Sequence, residues 1–129
     1  MATWQFDVAA VFNAGERTLP PLVCRRAQTV LAESFDPPWQ MLPGWSVYGS
    51  ESGNRIDLVV DADGSGELSA RIDARSDADS FLNCWLILMI ELNCSLYSPE
   101  LDLAFPADAQ ALRDALQSSS AWRFALTTR

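Results

Sequence analysis

Residues 56–74 have the sequence IDLVVDADGSGELSARIDA, in which two apolar runs flank a short polar segment. In the second run, 67–74, apolar residues occupy every second position from Leu68 to Ala74. A period of two is typical of a strand with one buried and one exposed face. The first run, 56–60, is rich in aliphatic and β-branched residues and predicts a partner strand. We therefore predict a hairpin over this segment.

The connection DADGSG also matches part of an EF-hand calcium loop. Asp61, Asp63 and Ser65 fall at loop positions 1, 3 and 5, with Gly66 at position 6. Position 12, where the loop normally has a bidentate Glu, is Ile72, and both flanks have strand patterns where an EF-hand has helices. Glycines suit a tight turn because they adopt positive φ without strain. The sequence therefore predicts a turn and no metal site.

The rest of the chain is predicted from hydrophobic periodicity and turn residues. Apolar residues recurring every three or four positions predict helices over 19–35, about 77–92 and 106–116. Aromatic and β-branched clusters predict further strands over 4–12, 45–48, 95–97 and, at the end of the chain, 122–126. The segment at 36–44 is predicted to be a loop because it contains three prolines, and 98–106 is predicted to be extended or a loop.

The predicted element order is β-α-β-β-β-α-β-α, with a short strand closing the chain. Such an order is typical of an α+β fold, in which helices pack mainly on one face of an antiparallel sheet. A length of 129 residues is enough for one domain with its own core, so we predict a single domain over 1–129.

The net charge of −8, from 17 acidic and 9 basic residues, bears on the class of partner. Nucleic acids and anionic membranes require clustered cations, so neither is predicted as a partner. A basic protein partner fits the charge better. The alternative is that the acidity only keeps the protein soluble. The longest apolar run, 81–92, is shorter than the roughly 20 residues that a membrane-spanning helix needs.

The basic residues are all Arg, and the chain contains neither Lys nor His. The absence of His removes the usual base for a Ser or Cys nucleophile and the commonest transition-metal ligand. We therefore predict no cofactor. Three cysteines, Cys24, Cys84 and Cys94, have no CxxC spacing, and the first residues lack signal-peptide features. Both observations favour a cytoplasmic protein with buried, inert thiols.

Two groups of residues are candidates for function. The first is an acidic group between 57 and 79, which could supply a catalytic carboxylate pair, a solvated face with Arg–Asp pairs, or a surface that binds a cationic protein. The second is the pair Trp39 and Trp45 in DPPWQMLPGW, which could form a binding hot spot or cover the end of the core. The predicted partner-binding residues are Asp57, Asp61, Asp63, Glu67, Asp73, Asp77, Trp39 and Trp45.

The second half of the chain resembles a known group of bacterial proteins. The run IDAR at 72–75, the apolar helix after it and CSLYSPEL at 94–101 are similar to small acidic immunity proteins encoded beside polymorphic or type VI secretion toxins. The similarity covers 71–126. It implies a cytoplasmic protein that binds a cognate toxin and blocks it.

The functional prediction is a non-enzymatic, protein-binding module of the immunity type. One alternative is a small enzyme, a hydrolase or an isomerase, that uses carboxylates alone. A second alternative is a structural or regulatory adaptor that self-associates, for example as a homodimer.

Overall fold

The computed structural model describes residues 3–13 and 15–128, which form a seven-stranded antiparallel sheet and four helices. The predicted α+β class is confirmed. The elements in chain order are β1 (Gln5–Val11), α1 (Pro21–Ser34), β2 (Trp39–Leu42), β3 (Trp45–Gly49), β4 (Arg55–Val60), β5 (Gly66–Asp73), α2 (Asp79–Glu91), β6 (Ser95–Ser98), β7 (Leu103–Phe105), α3 (Ala109–Gln117) and α4 (Ser120–Thr128).

The sheet has the strand order β2-β3-β4-β5-β1-β6-β7, which places the first strand between two later ones. Phe6 of β1 lies opposite Ile72 of β5, and Ala10 lies opposite Leu96 of β6. These apolar residues are buried on one face, where they form a single cluster with apolar residues of all four helices. Trp85 of α2 is among the fully buried members. The helices therefore bury their apolar residues against one face, as predicted.

The 56–74 hairpin is confirmed. The Asp61 N–H donates to the Ser65 carbonyl at 2.7 Å, and the Gly64 N–H donates to the Asp61 carbonyl at 3.0 Å. Gly64 has a φ of 90°, which residues with side chains rarely adopt. At Gly66, a Cβ atom would lie 2.1 Å from the Val59 carbonyl oxygen, so the strands could not stay this close with a side chain there. Both glycines are thus required by the turn.

One strand occurs where a loop was predicted, and another occurs in the segment predicted to be extended or a loop. β2 forms in the proline-rich segment, and β7 forms between Pro99 and Pro106. The prediction was wrong for β2 because all three prolines lie outside the strand. Pro38 precedes it and Pro43 follows it, so no N–H of the strand itself is missing. β7 is paired with β6 through the register Leu96↔Phe105, which the sequence alone did not reveal.

The two edges of the sheet are short and interrupted. β2 has four residues with a register irregularity between Gln40 and Leu42, and β7 has three residues. Prolines lie beside both edge strands. Short strands, bulges and prolines are the features that hinder the addition of a further strand to an edge. A partner strand would therefore find little backbone to pair with.

The last predicted element is also corrected, because 122–126 lies in α4 and does not form an edge strand. The Trp122 N–H donates to the Ser119 hydroxyl at 3.2 Å, and the Ser120 N–H donates to the Glu100 carboxylate at 2.8 Å. These bonds satisfy amides of the first helical turn. Ala121 and Ala125, one turn apart, are buried in the core. The aromatic residues between them suggested a strand, but the spacing of the alanines is helical.

The other helices lie close to their predicted positions. α3 begins at Ala109, after the predicted 106, because the Asp108 carboxylate accepts the Ala111 N–H at 3.0 Å and caps the helix. α2 ends before Asn93, which has a φ of 56° and stops the helix as predicted. In the described residues, none of the helices has the length and apolar character needed to cross a bilayer.

Candidate protein-binding face

The candidate site is the surface of the sheet opposite the helices, which we call the open face. Its β2–β4 end carries a group of apolar residues that we call the aromatic patch, made of Trp39, Leu42, Trp45 and Val59. Leu42 of β2 lies opposite Trp45 of β3, which lies opposite Val59 of β4. These three side chains therefore form one row across the strands. Leu42 is 60% exposed and Val59 is 38% exposed, whereas both Trp side chains are half-buried. The patch is therefore accessible to a partner.

Val47 shows that the aromatic patch is packed. Its register partners, Trp39 and Asp57, place it on the open face, yet it is fully buried. Since the helices cover the opposite face, neighbouring side chains on the open face must cover it. The two Trp residues thus act both as a lid over this part of the sheet and as exposed apolar surface, which combines the two alternatives considered from sequence.

Trp45 is held by a charged network. Its indole N–H donates to Asp57 Oδ2 at 2.9 Å, and Arg55 Nη2 donates to the same oxygen at 3.0 Å. Arg55 Nε lies 3.0 Å from Asp57 Oδ1, although it is not aligned for a hydrogen bond. The Arg55 side chain is only 6% exposed, so its charge depends on this partner. Asp57 therefore positions Trp45 and neutralises Arg55.

A second ion pair lies beside the first. Arg71 is opposite Arg55 in the register, and its Nε lies 3.1 Å from Asp7 Oδ1. Like charges directly opposite each other are unfavourable, but the two aspartates flank them and offset the repulsion. Two of the open-face carboxylates are thus balanced by arginines. Glu67 differs, because it is exposed and has no ion pair among the residues that the structure describes.

Asp61 and Asp63 lie at the tip of the hairpin and not on the open face. The Asp63 carboxylate accepts the Ser65 hydroxyl at 2.6 Å and the Ser65 N–H at 3.0 Å, and these bonds lower the pKa of Asp63. Asp63 lines a groove with Pro21 and Arg25 of α1, on the helical side of the sheet. Across residues 3–13 and 15–128, no group of three acidic or thiol side chains is arranged to hold a metal ion.

Asp73 and Asp77 lie at the far end of the sheet. Burial acts to raise the pKa of Asp73, but hydrogen bonds from the Arg75 guanidinium and backbone N–H, together with its charge, outweigh burial and lower that pKa. The Asp77 carboxylate accepts the Asp79 N–H at 3.1 Å. Both aspartates line a cavity of about 410 Å³, which Arg113 and Trp122 also line. This cavity is separate from the aromatic patch.

The structure therefore places five of the eight predicted site residues on one face. Trp39, Trp45, Asp57, Glu67 and, at the far end of β5, Asp73 lie on the open face, whereas Asp61 and Asp63 lie at the hairpin tip and Asp77 follows the end of β5. The predicted site residues did not include Leu42 and Val59 of the patch, and the sequence suggested Arg–Asp pairs without identifying which aspartates Arg55 and Arg71 contact. The alternation at 55, 57 and 59 could have indicated one face for those residues. Leu42 could not be placed without the register of β2.

Two cysteines are buried and have raised pKa values. Burial raises the pKa of Cys94 to about 11, and burial, followed by the charges of Asp61 and Asp63, raises the pKa of Cys24. The thiolate is the reactive form of cysteine, so a raised pKa disfavours nucleophilic chemistry. These thiols are best explained as packing groups.

Comparison with protein families and with curated proteins identifies no relative. No protein-family model matches the sequence, and no curated protein matches it. The resemblance to immunity proteins stays a prediction, so the functional argument depends on the geometry of the open face.

Proposed function

We propose that this protein binds another protein through the open face, and that it is a cytoplasmic immunity protein that neutralises a cognate bacterial toxin. The observation that supports this most strongly is the aromatic patch, where Leu42 and Val59 are exposed beside two Trp side chains. Trp, Tyr and Arg dominate the hot spots of protein interfaces. The open face concentrates such residues.

The fixed orientation of Trp45 supports a binding role. Its hydrogen bond to Asp57, which Arg55 in turn holds, keeps the indole in one position before any partner arrives. Ordering a side chain on binding costs free energy, so a side chain that is already ordered contributes more to affinity. Both Trp side chains are half-buried, which also restricts their motion and so reduces the free energy that ordering them on binding would cost.

The charges support recognition of a basic partner over catalysis. A net charge of −8 accelerates the approach of a cationic protein and disfavours acidic ones. Glu67 adds an unpaired carboxylate next to Val59. A carboxylic general acid needs a raised pKa, whereas the pKa of Asp73 is lowered by Arg75. Asp57 is already bonded to two donors.

The proposal is tested by measuring the affinity of the purified protein for the product of the neighbouring gene, by isothermal titration calorimetry. Trp45→Ala is expected to weaken binding by about 2 kcal/mol or more, as for other interface hot spots. Ile90→Ala is the matched control, because Ile90 is 65% exposed on α2, on the opposite side of the sheet. Equal losses in the two variants, or no binding by the unchanged protein, would contradict the proposal.

Self-association through the aromatic patch is a second candidate, supported by the exposure of Leu42 at the edge of the sheet. In this case the mass measured by sedimentation should rise with protein concentration. Leu42→Glu would abolish that rise, because it introduces a charge into the apolar contact. A mass that stays monomeric at all concentrations would exclude this candidate.

A further inference from the structure

A small groove lies in the middle of the open face, beside the aromatic patch. It has a volume of about 150 Å³ and runs between β1 and β5. We call it the arginine groove because two arginines border it. Its lining includes Asp7, Ala9, Arg17, Asp57, Ser69 and Arg71.

Arg71 has donor capacity that the fold does not use. Its ion pair with Asp7 engages Nε, and no hydrogen bond from its terminal nitrogens is found among the described residues. The Ser69 hydroxyl also lacks a protein partner there. A guanidinium that keeps two N–H groups available in a fixed plane matches the two oxygens of a carboxylate.

Arg17 adds a second cation at the border of the groove. It is exposed and forms no ion pair within the described part of the chain. The hydrogen bond to Asp102 raises the pKa of Tyr97, while the charge of Arg17 acts in the opposite direction, which indicates that Arg17 lies near Tyr97. Tyr97 is opposite Ala9 in the register, so Arg17 lies over the open face.

The charges around the groove are nearly balanced. Arg71 is paired with Asp7, and Arg55 is paired with Asp57, which also borders the groove. Arg17 lies near Tyr97, whose hydroxyl donates to Asp102 at 2.7 Å, so three arginines face three aspartates. The groove therefore suits an anion of low charge, held by the free donors of Arg71 and Ser69 and not by a surplus of positive charge. A dianion would be repelled more strongly by Asp7.

The volume limits what the groove can hold. It equals about five water molecules at roughly 30 Å³ each, whereas pockets for drug-sized ligands span about 300–1,000 Å³. The groove is thus too small for a typical metabolite or cofactor. It has room for the head group of one side chain.

We propose that the arginine groove binds a carboxylate, supplied by an Asp or Glu side chain of the protein partner. This inference rests on the proposed function, because it assigns the groove to the same interface as the aromatic patch. The carboxylate accepts hydrogen bonds from the terminal nitrogens of Arg71 and the Ser69 hydroxyl and pairs with Arg17. A partner that is basic as a whole therefore presents one acidic side chain at the centre of the contact.

The first experiment needs no partner. The ¹⁵N-labelled protein is titrated with sodium acetate at constant ionic strength, and with acetamide as a neutral molecule of the same shape. Acetate is expected to shift the Ala9 and Ser69 amide signals and the Arg71 Nε signal saturably, and acetamide is expected not to. Arg17→Gln should weaken acetate binding by about tenfold, as expected for loss of a charged partner. Arg25→Gln, an exposed arginine on α1, is the control and should leave acetate binding unchanged.

The second experiment measures affinity for the product of the neighbouring gene. Arg17→Gln and Arg71→Gln are each expected to weaken binding by about tenfold. Arg17 makes no ion pair in the fold, so its variant separates binding from stability. A linear acetate response, or an equal response in Arg17→Gln, would overturn the carboxylate site.

The two experiments separate the possible failures. Saturable acetate binding together with unchanged partner affinity in both variants would mean that the groove takes a free carboxylate, and would overturn the assignment to a partner side chain. If the neighbouring-gene product does not bind the unchanged protein, the proposed function and the partner side chain both fail. The acetate titration still decides whether the groove holds a carboxylate.

Discussion

The two faces of the sheet use alternate residues of the same strands but are stabilised in different ways. On the helical face, Ile56 and Leu58 of β4 are fully buried under helices. On the open face, Arg55 and Asp57 of the same strand are buried largely by each other and by Trp45. One face depends on apolar burial, and the other depends on a few specific polar contacts. A single strand can therefore supply both the stability of the fold and a surface suited to binding.

The largest effect is expected for Leu58→Ala compared with Val59→Ala, two neighbours in β4 that point to opposite faces. Leu58 is fully buried, so its truncation should lower the free energy of unfolding by about 2–5 kcal/mol. Val59 is 38% exposed, so its truncation should cost below about 1 kcal/mol. Urea denaturation measures both. Similar losses in the two variants would mean that the open face is also covered.

Asp57→Asn should have the next largest effect, because it leaves the buried Arg55 charge without its partner. We expect a loss of about 2–4 kcal/mol, somewhat below the value for a fully buried pair, since Asp57 is partly exposed. The control is Arg55→Met combined with Asp57→Asn, which removes both charges and should recover part of the loss. A single Asp57→Asn variant as stable as the unchanged protein would contradict the network described for Trp45.

Asp73 should make the stability depend on pH. The folded-state pKa of Asp73 is lowered below the ordinary 3.8. The Asp73–Arg75 pair therefore contributes its full stabilisation above about pH 3.8, and this contribution is lost as the pH falls through the folded-state pKa. Asp73→Asn should lower the free energy of unfolding by about 1–3 kcal/mol near neutral pH. The difference between the two proteins should shrink below about pH 4, where the unfolded-state carboxyl becomes protonated, and disappear below the folded-state pKa, where both states are protonated. Urea denaturation across this range tests it. A constant difference would show that the ion pair is not responsible.

A smaller effect on stability than that of Asp73→Asn is expected for Trp45→Phe. This change keeps most of the apolar surface and removes the hydrogen bond to Asp57, at a cost of about 0.5–1.5 kcal/mol. Its effect on affinity for the neighbouring-gene product should be smaller than that of Trp45→Ala. If the two variants bind equally weakly, the orientation of the indole, and not its apolar area, determines affinity.

The sequence predicted the fold wherever a local pattern carried the information. The alternation at 67–74 and the glycines of the turn predicted the hairpin, and helical spacing predicted α1 and α2. The prediction was incomplete or wrong where the local structure depends on pairing with residues that are distant in the sequence. β2 and β7 exist because they pair with β3 and β6, and α4 is helical because Glu100 and Ser119 satisfy its first amides.

The site was predictable only in part, for the same reason. Trp39 and Trp45 are large residues in a proline-rich segment, so residue type and local sequence were enough to predict them as binding residues. The role of Asp57 depends on the Arg55 and Trp45 side chains, which the fold places around it. The acidic residues between 57 and 79 are close in sequence, but the turn and the length of β5 spread them over the middle of the open face, the hairpin tip and the far end of the sheet. Proximity along the chain therefore overestimated the size of the acidic surface.

The interrupted edges of the sheet affect the concentration at which a cell could keep this protein without aggregation. The proposed role as a one-to-one inhibitor would require the protein to be present in excess over its target before the target appears. A stored protein with exposed Trp and Leu side chains beside an unprotected edge strand would be prone to grow into fibres by adding one copy after another. Prolines beside β2 and β7 and the irregular pairing of β2 oppose such growth. These edge features thus disfavour strand-by-strand growth next to the exposed apolar surface.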